Sequence, residues 1–242
     1  MKKTSIVNYT EFKALLGEAK RTSDPMWCKF IYRPLSFPTG WLFYKIGMKA
    51  NSVSLLSILL AFIASLIIIL GNSDDIVLAS FLLISIALLD CIDGNIARAR
   101  GETGPSGEWM DALSGYTVYA LLPVSLGLHL NLHSPYESLP GLWILVGAIT
   151  SIANLFLRLL HQKFANSMPD KSPQKGLKKK GSLFSKFSSE MGLVGWMMPA
   201  FLVASLTDRL DIYIVAYCFF YSISAVLVTL VLIKKATNQL SD

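Results

Sequence analysis

The feature that most restricts this chain is a run of apolar residues from Ser52 to Leu70 that holds no charged side chain. As a helix it is long enough to cross about 30 Å of hydrocarbon, which takes ~20 residues. Lipid accepts only segments whose backbone hydrogen bonds are satisfied internally. Comparable runs recur at about 76–97, 109–132, 139–160, 191–207 and 212–233. The expected fold is therefore an all-α polytopic membrane protein with six transmembrane helices. The fifth run is short and holds Pro199. Hydrophobic residues make up 53% of the chain and charged residues 16%, against about a quarter charged in soluble domains. A soluble enzyme and a disordered chain are thereby set aside. Cys28, Cys91 and Cys218 lie far apart, near apolar segments, and indicate neither a disulfide framework nor a zinc site.

A net charge of +6 looks like a nucleic-acid signal until the charges are located. Of the 22 Lys and Arg residues, all but Arg209 fall on one side of the six-span parsing. The positive-inside rule then puts both termini and a basic loop at 161–190 in the cytoplasm. The expected partners are membrane lipids and no nucleic acid. Lys178, Lys179 and Lys180 read as a solvated loop with some attraction to anionic headgroups. Residues 1–50 form a cytoplasmic N-terminal segment, and Met1 to Lys20 is polar, without the apolar core of a leader peptide. Met26 to Lys49 is aromatic-rich and basic, which suits an interfacial amphipathic helix interrupted near Pro34 and Pro38. The membrane domain occupies 51–235, a polar loop 166–189, and a cytoplasmic tail 236–242.

Carboxylates inside a membrane span require a reason, since each costs several kcal/mol unless paired or solvated. The second span contains Asp90 and Asp93, followed by Gly94, Ala97 and Arg98. At about 100° per residue, positions 90, 93, 94 and 97 share one helical face. Both acids lie near the C-terminal end of their helix, where the dipole disfavours negative charge. A bound cation compensates for that; a salt bridge from Asp93 to Arg98 or Arg100 is the structural alternative. In the third span, Gly107, Asp111 and Gly115 recur on one face, which brings Asp111 to a comparable depth. Oxygen-only donors of this kind suit a hard cation such as Mg²⁺ or Mn²⁺, which commonly bridges carboxylates to substrate phosphates. Arg98 is placed to neutralise phosphate.

The string Asp90-x-x-Asp93-Gly94-x-x-Ala97-Arg98, followed by Gly107 and Asp111, resembles the signature of the CDP-alcohol phosphotransferase family. Arg33-Pro34-Leu35-Ser36, Asn51 and Ser54 agree with it, although Lys49-Ala50 replaces the usual Thr-Pro. The resemblance implies a metal-dependent transferase. An acceptor hydroxyl attacks the β-phosphorus of a CDP-alcohol donor, CDP-diacylglycerol being the leading candidate, and CMP is released. It further implies that Asp90, Asp93 and Asp111 hold the metal, that Gly94, Ala97, Arg98 and Gly107 accommodate the nucleotide, and that the protein is a homodimer. The acceptor is an alcohol: a lipid, a polyol or a sugar phosphate.

One position departs from the pattern. The family's final aspartate, its general base, is Gly115 here. Glu108, about 60° from Asp111 around the helix, is a substitute base, and Glu190 is another. Alternatively the acceptor needs no protein base, or the chain is a catalytically impaired homologue or scaffold that binds CDP-alcohols. For acceptor contacts the fourth span offers Thr150 or Ser151, Asn154 and Arg158 at helical spacing, ending near His161. His129 and His133 fall at the external end of the third span and read as interfacial. Cys91 reads as packing, Tyr116 and Tyr119 as packing between helices or else pocket lining, and Asp208, Arg209 and Asp211 as a solvated turn. A transporter would hold its charges at the midplane between repeats, and neither feature is visible.

Overall fold

A computed structural model describes residues 8–16, 24–133, 140–167 and 183–237. Among these residues there are helices and turns and no strand. A short α1 (Tyr9–Ala14) leads, through a π-helical turn at Cys28–Tyr32, into α2 (Arg33–Lys45). Then follow α3 (Ala50–Leu70), α4 (Ser73–Arg100), α5 (Pro105–His133) and α6 (Leu142–Ser167). The chain closes with α7 (Leu183–Glu190), a second π turn at Leu193–Met197, α8 (Met198–Leu206) and α9 (Leu210–Thr237).

The helices α3, α4, α5, α6 and α9 are each long and apolar enough to cross a membrane. The segment expected as the fifth of six spans is instead a shorter apolar helix, Leu193–Leu206, broken at Gly195. A Cβ at Gly195 would fall 2.0 Å from the carbonyl oxygen of Glu190, so only glycine fits this break. Met197, Met198 and Phe201 bury the short helix against α4 and α9.

Packing follows membrane rules. Helices gain no hydrophobic drive from leaving lipid, so close contact rests on small residues and dispersion. On α3 and α4, which pack against each other, Ala61, Ala64, Ala79 and Ala87 are all essentially inaccessible. Where α5 crosses α6, Gly127 and Gly147 approach so closely that a Cβ on Gly127 would lie 2.5 Å from the Trp143 carbonyl oxygen. Large apolar side chains such as Leu59, Phe62, Phe81, Phe156 and Phe219 face outward. In water such a surface would be an aggregation hazard; in lipid it is the solvated face.

Three local expectations change. The prolines do not interrupt the interfacial helix. Across Cys28–Tyr32 the hydrogen bonds step back five residues, with the Arg33 N–H donating to the Cys28 carbonyl. Pro34 then falls in the first turn of α2, where a missing N–H is tolerated, and Pro38 lies inside the helix. The polar N-terminal stretch contains α1, whose Phe12 is fully buried and whose Asn8 and Glu11 form a capping box. The 161–190 loop is partly helical, since α6 runs on to Ser167 and α7 begins at Leu183. Lys178, Lys179 and Lys180 and the tail from residue 238 lie outside the described residues.

Candidate active site

At the end of the bundle where α4 meets α5, Gly101 closes α4 in the left-handed conformation, with φ of 66°. A side chain there is strained, which accounts for glycine at the turn. Beside this turn is a cavity of about 320 Å³. Asp90, Asp93, Gly94, Ala97 and Arg98 line it from α4, and Gly107, Glu108 and Asp111 from α5. Asn51 and Ser54 line it from α3, and Arg33 from α2. Two helical periodicities read separately thus meet on one concave surface.

A second cavity of about 580 Å³ has Asp90 and Asp111 in its wall as well. Gly115, Tyr116, Tyr119 and Arg158 complete it, together with Ser188, Ser189, Gly192 and Leu193. Arg158 lies 3.6 Å from the centroid of the Tyr119 ring, and its Nε donates to Asn154 Oδ1 at 2.9 Å. Asn154 is fully buried and lines neither cavity. It stands behind Arg158 as a support, not at the wall where the sequence reading put it. Thr150 and Ser151 are likewise buried and bond to backbone carbonyls. Tyr119 does more than pack, since its hydroxyl accepts from the Leu193 N–H at 2.9 Å and fixes the turn before α8.

Asp93 is almost wholly buried and its Oδ2 accepts from Ser54 Oγ at 2.7 Å. The alternative salt bridges are not formed, because Arg98 donates to Asn95 and Arg100 to the Met48 carbonyl. Among the described residues, no three His, Cys, Asp or Glu side chains converge closely enough to hold a metal ion as they stand. Asp90, Asp93 and Asp111 share a cavity without closing on one point. Neighbouring carboxylates repel one another, and a bound cation would relieve that repulsion. Their donor chemistry, all oxygen, fits a hard divalent ion.

Sequence reasoning missed Asn95. Its Oδ1 accepts from Arg98 Nη2 at 2.7 Å and from Arg33 Nη1 at 3.4 Å. Its Nδ2 donates to Ser36 Oγ at 2.9 Å. One neutral amide therefore holds two guanidinium groups side by side at the cavity. Arg33 also pairs with Asp24 at 2.7 Å. Burial works against the charge on Arg33, and the surrounding acidic groups, Asp24 among them, more than offset this and raise its pKa. No periodic signal marks Asn95, because its role depends on Arg33 and Ser36, which come from another helix.

The two candidate substitute bases stand in different places. Glu190 caps the start of the interfacial helix, with both carboxylate oxygens accepting from the Met26 N–H at 3.0 and 3.1 Å. Glu108 lines the first cavity. At the opposite end of the bundle, His129 and His133 stack with ring centroids 4.3 Å apart, beside Asp208, Arg209 and Asp211. Stacked rings hold their nitrogen lone pairs in near-parallel planes, which cannot meet at one ion.

No curated protein matches the chain. Residues 48–185, more than half of it, match the family model described as CDP-alcohol phosphatidyltransferase. With its signature acids and arginine gathered on one cavity between membrane helices, this chain belongs to the CDP-alcohol phosphatidyltransferase family.

Proposed function

We propose that the protein transfers the substituted phosphoryl group of a membrane-embedded CDP-alcohol, CDP-diacylglycerol being the best fit, to an alcohol acceptor. CMP is released. The observation that carries this reading is the wall shared by the two cavities: Asp90 and Asp111 belong to both, so a donor diphosphate in the first has an acceptor chamber directly beside it. Arg33 and Arg98 neutralise the diphosphate. The Arg98 Nε, buried and without a hydrogen-bond partner among the described residues, is a donor that a phosphate oxygen would satisfy. Gly94, Ala97, Gly107 and Asn51 leave room for the nucleotide. Asp90, Asp93 and Asp111 would hold a divalent cation, Mg²⁺ or Mn²⁺, which when bound supplies charge neutralisation to the diphosphate.

In the transfer, the acceptor oxygen bonds to the β-phosphorus while the bond from that phosphorus to the bridging oxygen breaks. CMP departs with the bridging oxygen. The hydroxyl proton passes to Glu108, the carboxylate on the first cavity that takes over from the glycine at 115. Arg158, held against Tyr119, orients the acceptor, and a phosphate-bearing polyol or a lipid hydroxyl suits its charge. The distribution of basic residues supports a cytoplasmic site, and the family resemblance supports a homodimer.

The test is CMP release from a panel of CDP-alcohols and acceptors with Mg²⁺, Mn²⁺ or chelator. Metal-dependent release is expected, and Asp111→Asn should abolish metal-dependent nucleotide binding. Nucleotide binding without CMP release from any pair would replace this reading with that of an impaired, CDP-alcohol-binding homologue, which Gly115 favours. Wild-type affinity in Asp111→Asn would remove the ligand assignment.

A further inference from the structure

We propose that Cys28 and Cys91 form a reversible redox pair in the donor cavity, a modification site whose disulfide displaces Arg33 and weakens nucleotide binding. Their sulfurs are hydrogen-bonded at 3.5 Å, although the residues lie in different elements and far apart in sequence. Both side chains are buried, 2% and 3% exposed, yet both line the donor cavity. A peroxide small enough to enter that cavity therefore has a route to them that the lipid face does not offer. The third cysteine, Cys218, lies on α9 and lines neither cavity.

The chemistry balances with one equivalent of hydrogen peroxide. One thiol sulfur attacks a peroxide oxygen, the O–O bond breaks, and sulfenic acid and water form. The second thiol attacks that sulfur, the S–O bond breaks, and a disulfide and a second water form. The peroxide is reduced and two thiols are oxidised. A dithiol reverses the bond by exchange.

Closing the pair from 3.5 Å to a disulfide length of about 2.05 Å requires movement. Both cysteines belong to the main core, and Cys91 lies within the long α4, which packs on α3 and α8. Cys28 opens the five-residue π turn, a single-turn irregularity and so the less braced of the two elements. The displacement therefore falls on the π turn. That turn ends at Arg33, whose N–H bonds directly to the Cys28 carbonyl. A shift of about 1 Å in a positioning group can cost on the order of 10²-fold. The paired guanidinium groups are thus the element most sensitive to oxidation.

The effect on binding rests on the donor-site reading above; formation of the bond does not. The intact protein in detergent is treated with graded hydrogen peroxide, digested without reduction, and mapped by mass spectrometry. Binding of cytidine diphosphate with Mg²⁺ is followed in parallel. A Cys28–Cys91 cross-link is expected at peroxide levels that leave Cys218 a free thiol, with nucleotide affinity falling tenfold or more and recovering with dithiothreitol. Bound cytidine diphosphate should slow the cross-linking, and affinity in Cys28→Ser and in Cys91→Ser should be the same before and after peroxide. Absence of the cross-link at levels that oxidise Cys218 would overturn the redox pair. A complete cross-link with unchanged affinity would overturn its effect on the site. Should the untreated protein bind no cytidine diphosphate, the donor-site reading fails with it, while the cross-link map still decides the pair.

Discussion

Replacing Asn95 tests the polar centre of the donor site. Its side chain accepts a hydrogen bond from Arg98 at 2.7 Å and a longer one from Arg33 at 3.4 Å, and it is 1% exposed. Asn95→Ala removes the one oxygen that accepts from both arginines. A hydrogen bond to a charged group is worth about 1.5–3 kcal/mol, and the longer contact adds little. At 1.36 kcal/mol per decade this is roughly a 10- to 150-fold loss of donor affinity. Because Asn95 acts through the arginines, the loss should appear in donor KM and leave kcat within a few fold. Asn95→Asp keeps an oxygen acceptor for both arginines, adds a negative charge between them and gives up the donor to Ser36. Donor affinity should fall at least as far as in the alanine variant. Measured by titration in detergent and by CMP release, with thermal midpoints to verify folding, wild-type affinity in Asn95→Asp would refute the paired-cation account.

Glu108→Gln should lower turnover by about 10²–10⁴-fold, the usual contribution of a general base, and adding Gly115→Asp should recover most of it. Unchanged turnover in Glu108→Gln would remove that residue as the substitute base. Gly127→Ala should force α5 from α6 and lower the thermal midpoint in detergent, because the added methyl meets backbone at 2.5 Å; overpacking of this kind costs about 1–3 kcal/mol. A midpoint equal to that of the wild type would show that this crossing is not tight.

What was readable in the sequence was whatever repeats with a helical period. The apolar runs gave the long helices, and spacing put Asp90, Asp93, Gly94 and Ala97 on one face and Gly107, Asp111 and Gly115 on another, all of them now lining the two cavities. What was not readable depends on partners distant in the chain. Pro34 looks like a helix break until it is seen to stand in the first turn of α2, where its missing N–H is tolerated. Asn154 looks like a wall residue because it shares a stripe with Arg158, yet burial places it one layer behind. Cysteines 28 and 91 look unrelated, because nothing local encodes a contact between the interfacial helix and α4. The short fifth apolar run misled for another reason. Hydropathy measures composition, whereas the break at Gly195 comes from a close approach to the Glu190 carbonyl.

The small residues of the signature fall into two kinds. A Cβ at Gly94 would sit 3.3 Å from Arg98 Nη1 and press on the guanidinium, so smallness there protects the placement of a charge. Gly107 and Gly115 are different. Their nearest neighbours to an added Cβ lie at 3.7 and 3.8 Å, ordinary contact distances. Neither has a φ that only glycine adopts easily. The fold tolerates a side chain at 115, and the wall beside it opens into the larger cavity. The packing therefore does not require glycine at 115. Gly115→Asp adds a carboxylate whose Cβ meets no close neighbour. A change in turnover on Gly115→Asp then reports on the added carboxylate itself, because a Cβ at this position leaves Tyr119 at an ordinary contact distance.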